Sequence, residues 1–487
     1  MDFLYTVVST INTYLSNYIL LFLLVGVGIF YTVRTRFVQV RCFGEGMKNV
    51  FGNIKLKGGK QEGGLSSFQA LATAIAAQVG TGNIVGACGA ILVGGPGAIF
   101  WMWVIAFLGM ATIYAEAVLA QKTRVVNADG TIEGGPVYYI KTAFKGNFGK
   151  FLAGFFSVAI IFALGFVGAM VQSNSIASNF AGVFNSLGVD ANFTLGSLEL
   201  NWVMIIVGVI VAVCAGFVLI GGVQRLGSVT EKLVPIMAVI YLVGGLFVLG
   251  INIQNVPAAF GMIFKYAFAP QALLGGAFGA AIAKAMTQGA KRGLFSNEAG
   301  MGSTPHAHAL ANVKDPHEQG VVAMIGVFID TFVVLTMTAL VVISTLYCNG
   351  TLTPATYALG NAGVSNATMA QEAFSFTFAK LFGANVGAII GSIFVAVCLL
   401  FFAFSTILSW NYFGKVNFTS LFGKKSTVVY SALAIVFVFL GSVFKNDLVW
   451  ELTDMFNNLM VLPNAVALLA LGGMVVGVIK AQKDRNK

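Results

Sequence analysis

The chain has 487 residues; 57% are hydrophobic and only 9% are charged, and the mean hydropathy is +0.87. Soluble proteins carry roughly 25% charged residues, so the composition excludes an ordinary soluble fold and indicates a polytopic membrane protein. The net charge of +10 would suit a nucleic-acid binder, but its distribution along the chain does not.

In chain order, a leading apolar run covers about 17–33. Ten more follow at about 67–93, 97–119, 151–180, 201–221, 230–250, 273–298, 319–347, 385–412, 427–444 and 448–479. Each approaches or exceeds the ~20 residues that a transmembrane helix needs. The leading run lacks a basic flank and a small-residue cleavage site, so it reads as a span rather than a signal peptide. With the N-terminus outside, alternate loops hold 24 of the 28 basic residues, from Arg34, Arg36 and Arg41 to Lys480, Lys483 and Arg485. The opposite loops hold Lys265, Lys380 and Lys445, and Lys284 falls within a span. This is the positive-inside bias. It sets a cytoplasmic C-terminus and makes the basic charge a topology signal rather than a nucleic-acid footprint.

The second run is interrupted. Gln78 to Gly86 reads QVGTGNIVG. Glycine weakens a helix by about 1 kcal/mol relative to alanine, and broken backbone within a membrane must line protein or a cavity. The freed N–H groups at a half-helix N-terminus suit a carboxylate, and freed carbonyls suit a small cation. Close helix packing through Gly82 and Gly86 is the plainer reading of the glycines, but it leaves Gln78, Thr81 and Asn83 unexplained. A matching interruption is expected five helices later. The run from Gly275 to Gly300 carries Lys284, Thr287, Gln288 and Gly289 at apolar positions, so the second break is expected there.

Elsewhere the chemistry is sparse. Cys42, Cys88, Cys214, Cys348 and Cys398 are scattered and read as packing residues. His306, His308 and His317 share one loop but give only a weak metal signal. No nucleophile–base pairing or dinucleotide fingerprint is present. A channel would need pore-lining rings or a repeated filter, and neither is visible.

The segments ALATAIAAQVGTGNIVG, GGPGAIFWMWVIAFLG, YAEAVLAQKTR, EGGPVYYI, KRGLFSNEAGMGSTP and GVFIDT closely resemble the signatures of the alanine or glycine:cation symporter family, over about residues 66–465. The resemblance implies an all-α polytopic membrane protein with a leucine-transporter-type five-plus-five inverted repeat and one extra N-terminal helix, about 11 spans in all. The leading helix and a basic segment would occupy 1–65, the repeats 66–254 and 255–482, and a short tail 483–487. It further implies sodium- or proton-driven uptake of a small neutral amino acid through the cell membrane. Alanine or glycine is expected, with serine or glutamine as the alternative. No cofactor besides the coupling ion is expected, and a monomer should suffice.

The resemblance also implies site residues. The amino acid would lie between the breaks, against Gly80, Thr81, Gly82 and Asn83 on one side and Met286, Thr287, Gln288 and Gly289 on the other. Gln172 and Asn457 would join them, because amides can both donate to a carboxylate and accept from an ammonium. Sodium would take carbonyls of Ala76, Val79 and Phe402 and the hydroxyls of Ser405 and Thr406, a hard-oxygen set. Intramembrane charges need partners, so Lys284 is expected to pair with Asp330 and to replace a second sodium; the competing reading is that it snorkels along its stem to the inner surface. Glu116 reads as a structural partner of nearby polar groups.

Overall fold

Long apolar runs fold as helices because only a helix, or a closed barrel, satisfies its own backbone in lipid. The computed structural model describes residues 2–52, 64–128, 130–196, 198–268, 278–352, 365–444 and 447–485. Its main helices are α1 (Phe3–Arg34), α2 (Phe43–Phe51), α3 (Ser67–Gln78), α4 (Gly82–Gly94), α5 (Gly97–Thr123) and α6 (Gly146–Ser186). There follow α7 (Trp202–Ile220), α8 (Gly222–Ile251), α9 (Phe278–Asn297), α10 (Pro305–Ala309) and α11 (Pro316–Tyr347). The chain ends in α12 (Ala384–Phe422), α13 (Thr427–Val443), α14 (Asp447–Ala470) and α15 (Gly472–Arg485). Short two-stranded hairpins pair Val125–Val126 with Ile132–Glu133 and Asn192–Leu195 with Leu198–Asn201.

Among the described residues, eight helices are long and apolar enough to cross a membrane, or ten if the bent pairs α3/α4 and α14/α15 each count once. Helix α9, which contains Lys284, Lys291 and Arg292, is not among them, so the count stands at eight to ten against the eleven expected. Helix α9 packs on α4 and α5; α6 packs on α12 and α13; α3 packs on α8 and α12. The segments flanking the two broken regions are tied to each other: Leu65 N–H donates to the Leu310 carbonyl (3.0 Å) and Asn312 N–H to the Leu65 carbonyl (2.9 Å).

Three boundaries differ from the sequence reading. Helix α1 begins about fourteen residues early, because Asn12 and Ser16 face a neighbour instead of lipid while Thr10 and Thr13 bond back to their own helix. Asn12 donates to the Glu451 carboxylate (2.6 Å) and Asn458 donates to Ser16 (3.0 Å), both on α14. The last apolar run bends by 54° after Ala470. Lys291 and Arg292, counted among the loop charges although the expected run 273–298 contains them, lie within α9 and face Asp454 of α14 at 2.6 and 3.6 Å.

Candidate functional site

The interruption at Gln78–Gly86 is a true break. Val79 leaves the helical region (φ −80°, ψ 83°), and α3 and α4 meet at 45°. Asn83 ties up the loosened turn. Its Oδ1 accepts from the Gly80 N–H (3.0 Å), and its Nδ2 donates to the Asp330 carboxylate (2.6 Å) and carbonyl (3.1 Å) on α11. Gln172 of α6 accepts from the Thr81 N–H (3.2 Å). A Cβ on Gly80 would clash with Thr406 Oγ1, and one on Gly82 would lie 2.9 Å from Ser296 Cα. The glycines therefore let α12 and α9 approach the break.

The second break is not where the sequence placed it. Helix α9 runs unbroken through Met286, Thr287, Gln288 and Gly289 to Asn297. Lys284, Thr287, Gln288 and Lys291 follow helical spacing and line a cavity of about 650 Å³ against α1 and Glu451. Their polarity marks a solvated helix face, not an unwound turn. Gly289 serves packing, since a Cβ there would sit 2.6 Å from Trp101 Cβ. The chain breaks instead at Glu298–Thr304, where Glu298 (φ 58°), Gly300 (φ 90°) and Gly302 (φ 81°) take left-handed backbone before α10 starts at Pro305. Left-handed backbone suits glycine and strains glutamate. Glu298 is held by Ser303 and Trp410, both of which donate to its carboxylate.

Glu116 fastens this second break. It accepts from the Gly300 N–H (3.1 Å) and from Asn464 (2.6 Å), which also donates to the Gly300 carbonyl (2.9 Å). The structural role expected for Glu116 fits these contacts.

The two breaks meet. Gln78 donates to the Asn297 carbonyl (2.8 Å). Asp330, fully buried, accepts from Asn83 of the first break and from Ser296 beside the second (3.0 and 3.1 Å), and from Thr331 (2.8 Å). The expected Lys284–Asp330 pair is not formed. Lys284 is exposed on the cavity face of α9, and Asp330 is satisfied by neutral donors. The sequence reading found Asp330 but missed its partners. An aspartate and an asparagine in two separate interrupted helices were the signal available.

Beside the first break, oxygens converge. Thr406 Oγ1 lies 2.8 Å from the Ala76 carbonyl and 3.0 Å from that of Phe402; Ser405 Oγ lies 3.5 and 2.8 Å from the same two. The expected set thus gathers at one point, except that the Val79 carbonyl takes no hydrogen bond from either hydroxyl. Serine and threonine often bond back to their own helix; here the hydroxyls do so and also reach α3. Three buried polar atoms at the first break, Thr81 Oγ1, Gln172 Nε2 and Gln78 Oε1, have no hydrogen-bond partner. Asn457 is also buried with Oδ1 unpartnered, but it makes no hydrogen bond to either break.

The chain matches the sodium:alanine symporter family over residues 1–487. It is 40% identical to the sodium/alanine symporter AgcS of Methanococcus maripaludis, covering 100% of this chain and 99% of that protein. It is 35% identical to the probable sodium/glutamine symporter GlnT of Bacillus subtilis, covering 99% of this chain and 91% of the relative. Among solved structures, MhsT in complex with L-phenylalanine superposes with a TM-score of 0.55 at 14% identity, covering 86% of this chain and 89% of MhsT. At that identity the likeness speaks for the fold, a leucine-transporter-type arrangement in a polytopic membrane protein. These are transporters rather than enzymes, and the chain belongs to the sodium:alanine symporter family.

Proposed function

We propose that the protein imports a small neutral amino acid, alanine or glycine, by symport with sodium. The observation that carries this reading is the first break: the buried, unpartnered Thr81 Oγ1 and Gln172 Nε2 lie beside the oxygens of Ala76, Phe402, Ser405 and Thr406. A buried polar group without a partner costs about 1–3 kcal/mol, and a zwitterion offers both donors and acceptors to relieve it. The amino acid would contact Gly80–Asn83 and Gln172 on one side. On the other it would meet the Phe295–Asn297 end of α9, in place of the stretch 286–289.

Sodium would lie between the Ala76 and Phe402 carbonyls. There it would take over the carbonyl oxygens that Ser405 and Thr406 now engage and accept their hydroxyl oxygens as ligands. It would link α3 to α12, while Asp330 links the first break to the second. Filling the ion site would therefore hold the geometry that the amino acid needs. The two helices interrupted at the first and second breaks would rock against the rest of each repeat, 66–254 and 255–482, with the N-terminus outside, the C-terminus cytoplasmic and one chain sufficient. GlnT supports glutamine as the second substrate reading.

The test is uptake into liposomes holding purified protein. Labelled alanine or glycine should accumulate with an inward sodium gradient and be competed by unlabelled alanine or glycine more strongly than by serine or glutamine. Accumulation driven equally by a proton gradient without sodium would overturn the choice of ion. No gradient-driven accumulation of any of the four amino acids would overturn the proposal.

A further inference from the structure

The three histidines that share a loop in sequence have separate fates in the fold. His306 bonds Ser303 and Asn417, and His308 bonds Gln319. His317, at the start of α11, instead turns toward Cys42 and Glu45, and one ligand atom from each of the three residues lies within 4.8 Å of the others.

We propose that Cys42, Glu45 and His317 form a binding site for a zinc-class divalent metal ion, which pins α2 to α11. The donor set is one thiolate sulfur, one carboxylate oxygen and one imidazole nitrogen, the set that zinc takes and that sodium does not. Three protein ligands leave a fourth position open, and Glu45, 39% exposed, gives solvent a way in. His317 is only 1% exposed, and its Nε2 makes no well-formed hydrogen bond. Glu45 Oε1 lies 3.2 Å from it, an ion pair only if the imidazole is protonated. That separation is close to the ~3.3 Å between two ligands placed ~2.0–2.1 Å from a tetrahedral zinc.

The surroundings are those of a prepared ligand. His317 Nδ1 lies 2.7 Å from the Tyr114 hydroxyl. With the Nδ1 proton donated to Tyr114, Nε2 carries the lone pair that a metal needs, as outer partners of metal-bound histidines commonly arrange. The His317 backbone N–H is fixed by the Asp315 carboxylate (3.0 Å), which anchors the first turn of α11. Helix α2 is held against α11 by close packing: a Cβ on Gly46 would lie 2.7 Å from Ile325 Cγ1 and 2.9 Å from the Val321 carbonyl. On binding, the metal replaces the Cys42 thiol proton, which leaves to solvent, and coordinates the carboxylate and the neutral imidazole without any redox change. Because α11 continues to Asp330, which joins the two breaks, a metal clamp at its start would restrain the element that couples them. This last step rests on the transport reading; the metal site itself does not.

The experiment uses the full-length protein in detergent, with any affinity tag removed. After equilibration with micromolar zinc and gel filtration, the wild type should retain about one zinc per chain. Cobalt in its place should show a thiolate-to-metal charge-transfer band. Cys42→Ser should abolish that band, and His317→Gln should weaken zinc binding at least roughly tenfold. Tyr114→Phe should weaken it by about tenfold, as loss of an outer partner does. Cys214→Ser, at an exposed cysteine remote in sequence from the cluster, should change nothing. Glu45→Gln, the most exposed ligand, is the variant least able to disturb folding, and it too should lose zinc while its thermal unfolding without metal matches the wild type. A wild type that retains no zinc, or a Cys42→Ser protein that retains as much as the wild type, would overturn the site. If zinc binds as expected but transport is insensitive to it, only the clamp on α11 is overturned.

Discussion

Asn83 Nδ2 lies 2.6 Å from Asp330 Oδ1, and the same asparagine accepts from the Gly80 N–H at 3.0 Å. One side chain thus closes the first break and joins it to helix α11. Asp330 in turn accepts from Ser296, one residue before the end of α9. A buried carboxylate with several donors is stable where a bare one is not.

Asn83→Ala should therefore reduce both thermal stability and uptake, because it removes a donor from a buried carboxyl group and opens the turn at Gly80. Combined with Asp330→Ala, it should show a coupling energy of about 0.5–3 kcal/mol, the range for residues in one network. Lys284→Met combined with Asp330→Asn should instead be additive, because Lys284 lies on the cavity face. Unfolding measurements on the two double-mutant cycles decide between the networks. Coupling in the Lys284 cycle alone would sink this account.

The hydroxyl pair gives a second expectation. Thr406 Oγ1 and Ser405 Oγ both reach the Ala76 carbonyl, at 2.8 and 3.5 Å. Replacing both by alanine should raise the sodium concentration for half-maximal uptake by on the order of tenfold, equivalent to about 1.4 kcal/mol. The amino-acid dependence at saturating sodium should change far less. An unchanged sodium dependence would remove the pair from the ion site.

The glycines give a third. At Gly80 a side chain would meet Thr406 and Gln172, and at Gly82 it would meet Ser296 and Phe295. Gly80→Leu and Gly82→Leu should each abolish amino-acid binding while the protein still inserts in the membrane. Gly86→Ala should be tolerated, since the nearest atom to its Cβ would be 3.8 Å away. Equilibrium binding on purified variants reports the difference, and normal affinity in Gly80→Leu would place the substrate elsewhere.

These contacts also show what the sequence could reveal. The helices were legible because lipid demands long apolar runs, and the first break because Gly80, Thr81, Gly82 and Asn83 interrupt one of them. The hydroxyl pair on α12 was legible only through the family resemblance. The second break was misplaced because polar residues in an apolar run have two physical causes. Lys284, Thr287 and Gln288 are polar because they face a cavity, whereas Gly300 and Gly302 are present because the backbone turns left-handed there. Glycine density just before Pro305 was the better guide. Two of the partners of Asp330, Asn83 and Ser296, were hidden because they come from other helices, and an opposite charge looked simpler than three neutral donors.

The last expectation concerns the buried ion pair that the topology count overlooked. Lys291 Nζ lies 2.6 Å from Asp454 and Arg292 3.6 Å from it, and the aspartate is only 4% exposed. The Arg292 guanidinium also sits 4.9 Å from the centroid of the Trp450 ring, which packs on Phe295 at 5.2 Å. The cluster thus joins α9 to α14 just before the second break. Removing one member of a buried pair costs about 3–5 kcal/mol because the other charge is stranded. Asp454→Asn strands two cations, but the Lys291 and Arg292 side chains are 13% and 14% exposed and recover some hydration. Lys291→Met should therefore be the more harmful change to the pair, since it leaves the buried carboxylate with only the more distant Arg292. Adding Asp454→Asn to Lys291→Met should restore part of the lost stability. Thermal unfolding in detergent at low and high salt tests this: the single variant should be the least stable, and the loss should persist in salt because the pair is buried. Equal stability of Lys291→Met and the wild type would show that the contact is an ordinary surface pair of no consequence.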